Sequence, residues 1–199
     1  CTRLCAMIEL TIKNELALYV NKVAGKVNTK ELREEIANDM QARVQSRFRM
    51  SVGPDGHRWF PIGIRKGKPL MNTGLLSKSI SSKATMTKAI VGTNNRYARL
   101  HNYGGVIRAK SAGVLTIPIS PKSYGKSARR FRSAFLVRTP GATFIAREIG
   151  RGKKRQLEFL YVLKQSAKIK ARPFLGINTA MQERYRRIAE EFYRKAWKK

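Results

Sequence analysis

With 199 residues the chain is long enough for one sizeable core, and its 42% apolar content is ordinary for a globular protein. Its charge is not ordinary: 42 Lys and Arg against 12 Asp and Glu give a formal +30, a self-repelling excess that favours a polyanion or an acidic partner nearby. No run approaches ~18 apolar residues and no basic leader precedes an apolar stretch, so neither a membrane span nor a secretion signal is expected.

A soluble protein made in the cytoplasm is the resulting expectation. Cys1 and Cys5 both precede Met7, a candidate biological start, and two terminal thiols make neither a disulfide framework nor a four-ligand metal site.

In chain order, Ile8, Leu10 and Ile12 alternate with polar residues as in a half-buried strand. Asn14 is positioned to cap a short helix carrying Leu16, Leu18 (or Tyr19) and Val20. Asn28 or Thr29 then opens a longer helix, whose Leu32, Ile36, Met40, Val44 and Phe48 recur every four residues. Acids crowd its first half, while Arg43, Arg47 and Arg49 in its last half complement the helix dipole. After a turn over 51–56, Trp59 and Phe60 stand before Pro61, and Trp59 is expected to plug the long helix, worth about 2–3 kcal/mol if fully buried.

The stretch Asn72–Gly105 reads as a helix capped by Thr73 with Leu75, Leu76 and Ile80 inward, then a strand over Lys88–Val91. A polar turn at Gly92–Asn95 and a second short helix with Tyr97, Ala98 and Leu100 follow, stopped by Gly104 and Gly105. Beyond it the pattern shifts to period two. Gly113–Ser120 reads as a strand that Pro118 confines to an edge or an end, and Pro121–Arg132 has the composition of a mobile, solvated loop. Strands over Phe131–Val137, Ala142–Glu148 and Leu157–Leu163 form antiparallel hairpins with basic tips. Thr179 with Gln182 makes a capping box for a terminal helix striped by Met181, Tyr185, Ile188 and Phe192. The expected fold class is α+β: an antiparallel sheet packed against N-terminal and C-terminal amphipathic helices. One domain over 1–199 carries a basic, β-rich insertion over 106–170.

Catalytic signals are weak. Asp55 and His57 flank a glycine, but a nuclease would need further acidic or histidine ligands at a fitting spacing. His101 at a helix end reads as packed or hydrogen-bonded rather than catalytic. The run Gly63–Lys68 has three residues between its glycines where a phosphate loop has four, and Pro69 where Ser or Thr would hold magnesium. No enzyme, metal or cofactor is expected.

The charge has a place. Residues 106–172 hold 17 basic and 2 acidic side chains, half of the net charge in a third of the length. Arg108, Lys110, Lys122, Lys126, Arg129, Arg130 and Arg132, with Arg151, Lys153, Lys154 and Arg155 at a hairpin tip, are the candidates to face DNA or a partner. A solvated surface is the plainer reading of the Lys and Arg on the terminal helix. Without a base-reading motif, any nucleic-acid contact should be with phosphates.

Four motifs in order carry a resemblance: Asp55-Gly56 with Trp59-Phe60-Pro61; Leu70 to Leu76 with Thr73 and Gly74, then Ser79-Ile80; Val91-Gly92-Thr93-Asn94 with Tyr97-Ala98, His101-Asn102 and Gly104-Gly105; and Ala171-Arg172-Pro173-Phe174-Leu175-Gly176. Together, over 8–105 and 171–199, the chain resembles the bacteriophage virion morphogenesis (tail completion) family of tailed phages and Mu-like prophages. The long insertion and the extra N-terminal residues depart from that pattern. The resemblance implies a structural virion protein of the head–tail neck that completes or terminates the tail and enables head–tail joining. It further implies a homo-oligomer, a hexameric ring, made in the host cytoplasm and carried in the virion. Its partners would be tail tube, sheath and head–tail connector, with packaged DNA passing through the lumen and no membrane. The alternative reading is a stand-alone basic protein that binds nucleic-acid phosphates without sequence specificity.

Overall fold

The computed structural model describes residues 6–10 as backbone, and residues 29–110 and 113–197. The expected short helix after Asn14, and Ile12 of the first strand, lie outside the described residues. The chain divides into two compact units. The first comprises 1–60, 68–103 and 171–199; the second comprises 61–67 and 104–170.

In the first unit, β1 (Ala6–Leu10), β2 (Ile80–Ala84) and β3 (Ala89–Thr93) form an antiparallel sheet in the order β1-β3-β2. Ile8 pairs with Val91, and Ser82 pairs with Val91 from the other side. The long helix α1 (Thr29–Met50) lies on this sheet, and all five residues of its stripe are buried at 5% exposure or less. A period of four outruns the 3.6-residue turn by about 40° a step, so the buried stripe drifts around the helix along its length. The terminal helix α4 (Thr179–Trp197) packs beside α1, burying Met181 and Tyr185. This is the α+β arrangement expected, an antiparallel sheet flanked by N- and C-terminal helices.

Several local expectations are corrected. Helix α2 (Leu75–Lys78) is one turn long, and its N-cap is Gly74 at φ 74°, not Thr73. Thr73 Oγ1 accepts only a long 3.4 Å bond from the Leu75 N–H. Leu75 is exposed; a single turn has room to bury only Leu76, and Ile80, expected on the helix, already belongs to β2. Tyr97, ahead of α3 (Ala98–Tyr103), is exposed, and Ala98 is the residue that packs. Gly104, at φ 73°, takes the left-handed conformation common just past a helix. For α4 the cap is Asn178, whose Oδ1 accepts the Met181 N–H at 2.9 Å; Thr179 is already the first helical residue.

The second unit holds a two-stranded ribbon of β4 (Gly105–Arg108) and β9 (Ser166–Ile169), unexpected from the sequence. Its main sheet has β5 (Leu115–Pro118), β6 (Ala134–Thr139), β7 (Ala142–Ile149) and β8 (Gln156–Lys164) in the antiparallel order β5-β8-β7-β6. Pro118 sits, as expected, at the end of an edge strand. Of the two hairpin tips only 150–155 is basic; the turn at Pro140 and Gly141 has Arg138 alone beside it.

Residues 121–132 correct the expectation of a mobile loop. Ser123 is fully buried, its Oγ donating toward Ser120 O at 2.8 Å and Leu160 O at 2.6 Å. Tyr161 Oη donates to Lys126 O at 2.8 Å, and Phe131, expected to begin a strand, sets its ring edge-on to Tyr161 at 6.1 Å. The segment ends in a 3-10 turn, Ala128–Arg130. Composition alone misses this because a few anchors hold a segment whose remaining side chains are solvated.

Candidate functional site

The family motifs of the first unit converge on the strap Ala171–Gly176. Phe174 and Leu175 are buried, with Phe174 against Phe48 at 5.0 Å between ring centroids. Trp59 packs edge-on to Phe48 at 5.7 Å and donates its Nε1 hydrogen to Pro173 O at 2.9 Å. Trp59 thus covers the long helix as expected. Asn102 Oδ1 accepts the N–H groups of Phe174 and Leu175, each at 2.9 Å. Arg172 donates its N–H to His101 O at 2.8 Å, and its guanidinium reaches Phe60 O at 3.2 Å. Gly176 runs so close to Pro54 that an added Cβ would lie 2.5 Å from its Cγ.

Arg47 is the correction with most consequence. It is 5% exposed, and its guanidinium donates to Phe174 O and Gly176 O at 2.8 Å each, with Met181 Sδ at 2.9 Å. It therefore clamps the strap instead of serving the helix dipole from solvent. Desolvation by burial holds its pKa below the ordinary arginine range. The sequence carried a signal for it, since position 47 lies three residues after Val44 and seven after Met40, on the buried stripe. Asn102, one helical turn after Ala98, was legible in the same way.

His101 lies beside this strap. Burial first, and then the Arg172 charge, hold its imidazole below the ordinary range, and Nδ1 is buried with no hydrogen-bond partner. Tyr185 Oη is likewise unpartnered, and burial first, then the Asp39 charge, push its pKa up to about 12. Asp55 and His57 stand exposed 4.0 Å apart, and the Asp55 carboxylate accepts the His57 backbone N–H as in a local turn. Among the described residues, no group of three or more His, Cys, Asp or Glu could hold a metal ion, and no helix is long and apolar enough to cross a membrane. Gly92 is buried in β3, whereas Pro61 and Gly105 are exposed.

In the second unit the two faces of the four-stranded sheet differ. One face carries Tyr161, Arg147 and Glu158 and is overlaid by residues 121–132 through Phe131 and Ser123. Glu158 accepts Lys122 Nζ at 2.7 Å and Arg147 at 2.8 Å, and those two hydrogen bonds hold its carboxyl below the usual range. The other face carries the row Val137–Phe144–Val162–Ile117, flanked by Phe135, Leu157 and Phe159. Phe144 and Phe159 meet edge-on at 5.2 Å, yet Phe135, Leu157 and Phe159 remain 40–47% exposed. No arginine lies among these positions.

Of the basic candidates, Lys122 is tied to Glu158, and Arg155 stands 3.6 Å from Glu148. Arg108, Lys110, Lys126, Arg129, Arg130, Arg132, Arg151, Lys153 and Lys154 are all exposed.

The family model described as the phage virion morphogenesis family matches residues 11–131, which takes in the first three motifs and the start of the basic segment. The chain is also 34% identical over 118 residues to the Mu-like prophage FluMu G protein 2 of Haemophilus influenzae, covering 58% of this chain and 82% of that relative. No solved structure matches. With a family model over more than half its length and a Mu-like relative at this identity, the chain belongs to the phage virion morphogenesis family and has a structural or assembly role in the virion.

Proposed function

We propose that the protein is a non-enzymatic component of the head–tail neck that completes or terminates the tail and enables head–tail joining as a ring of identical copies, six by the family resemblance. The observation that carries this reading is the apolar sheet face of the second unit. Phe135, Leu157 and Phe159 stay at 40–47% exposure beside the row through Phe144 and Val162. Exposed apolar patches of this kind mark contact surfaces, and a chain of net charge +30 can meet its own copy most readily where Lys and Arg are sparse. The edge strand β6 has one side that no strand among the described residues pairs, a further template for a neighbour. A stable contact would bury about 800 Å² per partner, so it must extend past these side chains.

In the ring, the basic loops would face the lumen through which packaged DNA passes, while tail tube, sheath or connector proteins contact the outer surfaces. Virion membership favours this reading over a stand-alone nucleic-acid-binding protein. The test is a phage lacking the gene. Electron microscopy should show filled heads with unjoined or irregular-length tails, and the purified protein should have the mass of a ring in solution. Normal infectious particles would overturn the proposal.

A further inference from the structure

The geometry points to one end of the four-stranded sheet, where the Ala128–Arg130 turn and the β7–β8 hairpin tip emerge together, as a docking surface for the phosphate backbone of duplex DNA. Only the source of the polyanion rests on the virion reading above; the cationic surface stands by itself.

The register brings the two segments together. β6 begins at Ala134 opposite Arg147, and β7 runs on to Ile149 opposite Gln156. Residues just before 134 and the tip 150–155 therefore leave the sheet at the same end. That end carries Arg129, Arg130, Arg132, Arg151, Lys153 and Lys154, all exposed and with no ion-pair partner among the described residues. The sheet's two acids are already engaged, Glu158 by Lys122 and Arg147 and Glu148 by Arg155, so they leave these six cations unneutralised. Among the described residues, the opposite end has Arg138 and Lys164 beside the β6–β7 turn, with Arg108 and Lys110 where β4 meets the chain that leaves β8.

A solvated face would spread its charge; here it is gathered from two separate stretches. It is also held in place. Ser123 and Tyr161 pin the 121–132 segment, and the Gly150 turn at φ 90° folds the tip against the Lys154 carbonyl. Cations ordered in advance lose less freedom on binding. The surface is made of a 3-10 turn and a hairpin tip, with no α-helix to enter a groove. It should grip phosphates without reading bases, loosely enough for DNA to slide.

The experiment measures anisotropy of a labelled DNA duplex with the full-length protein between about 50 and 200 mM salt. R129A/R130A/R132A and R151A/K153A/K154A should each weaken binding at least tenfold at the low-salt end. Each should also reduce the log–log salt slope by about 1 for every phosphate that the variant no longer neutralises. R138A/K164A, at the opposite end, should stay within twofold of wild type. The proposal is overturned if both triple variants bind within twofold of wild type, or if the control loses as much as they do. Equal or tighter binding of single-stranded RNA at the same phosphate concentration overturns the duplex assignment. Should a triple variant melt early, R129K/R130K/R132K must restore the slope, or the effect is structural and the proposal fails. Wild-type protein that binds DNA as expected but cannot restore head–tail joining to a deletion phage sinks the neck reading alone. Triple variants that join heads to tails but bind no DNA leave the neck reading standing; that loss in both triples, with R138A/K164A retained, supports this one.

Discussion

The side-chain oxygen of Asn102 accepts the backbone N–H groups of both Phe174 and Leu175 at 2.9 Å, which ties α3 to a strap 72 residues further along the chain. Both amides are buried and neither pairs with a strand, so the asparagine is their partner. Asn102→Ala should leave two buried donors unsatisfied and cost about 2–4 kcal/mol, read as a lower urea midpoint. An unchanged midpoint would show that water or a shifted backbone satisfies them.

Arg47 grips the same strap by its carbonyls. Its Nη1 donates to both Phe174 O and Gly176 O while Nη2 reaches Met181 Sδ, a planar fork that a lysine ammonium on a flexible stem does not reproduce. Arg47→Lys should lower stability by about 1–3 kcal/mol and Arg47→Ala by about 2–4 kcal/mol in chemical denaturation. Equal stability of the lysine variant and wild type would mean that charge alone, not the fork, holds the strap.

The His101 imidazole predicts a pH dependence. Burial and then the Arg172 charge depress its folded pKa below the unfolded value, so the unfolded chain takes up the proton first. Its contribution to stability is complete above about pH 6.5 and is lost as pH falls from there toward the folded pKa. Melting temperature should fall from pH 7 to 5, and less steeply in His101→Gln. Asp39 separates from this window. Burial raises its carboxyl, but hydrogen bonds from Arg184 and Arg43 outweigh that, so its loss belongs to more acid conditions, below about pH 4. Parallel wild-type and His101→Gln curves between pH 7 and 5 would refute the assignment.

Tyr161 fastens the basic segment through Lys126 O and Ser123 O. Tyr161→Phe keeps the ring against Phe131 and removes only the hydroxyl, a change of about 1 kcal/mol. Amide exchange over residues 121–132 should speed up while β7 and β8 keep their protection. Uniform acceleration across the sheet would place the hydroxyl's role in the whole unit instead of the segment.

The exposed face of the second unit can be tested apart from the fold. Phe135→Asp with Phe159→Asp puts charge on side chains that are already 40–43% exposed. Light scattering should report a smaller mass in solution with little change in melting temperature. The same mass for both proteins would move the contact between copies elsewhere.

Local patterning was enough to set the α1 stripe, the α4 stripe, the three long strands β6 to β8 and the edge position of Pro118. These follow from periodicity and from the missing proline N–H, both properties of neighbouring residues in the chain. The same local reading located the basic excess and carried the motifs by which the family was recognised. It missed β2, β4 and β9, strands of four or five residues whose side chains alternate too briefly to stand out. It also gave Arg47 to the helix dipole and residues 121–132 to solvent. In both cases the deciding partner is distant in sequence: Phe174 lies 127 residues beyond Arg47, and Leu160 lies 37 beyond Ser123. Folding had to settle those two, because a buried polar group is stable solely where the assembled chain delivers its hydrogen-bond partner. The gathering of the 129–132 and 151–154 cations at one sheet end was likewise decided by strand register, not by composition.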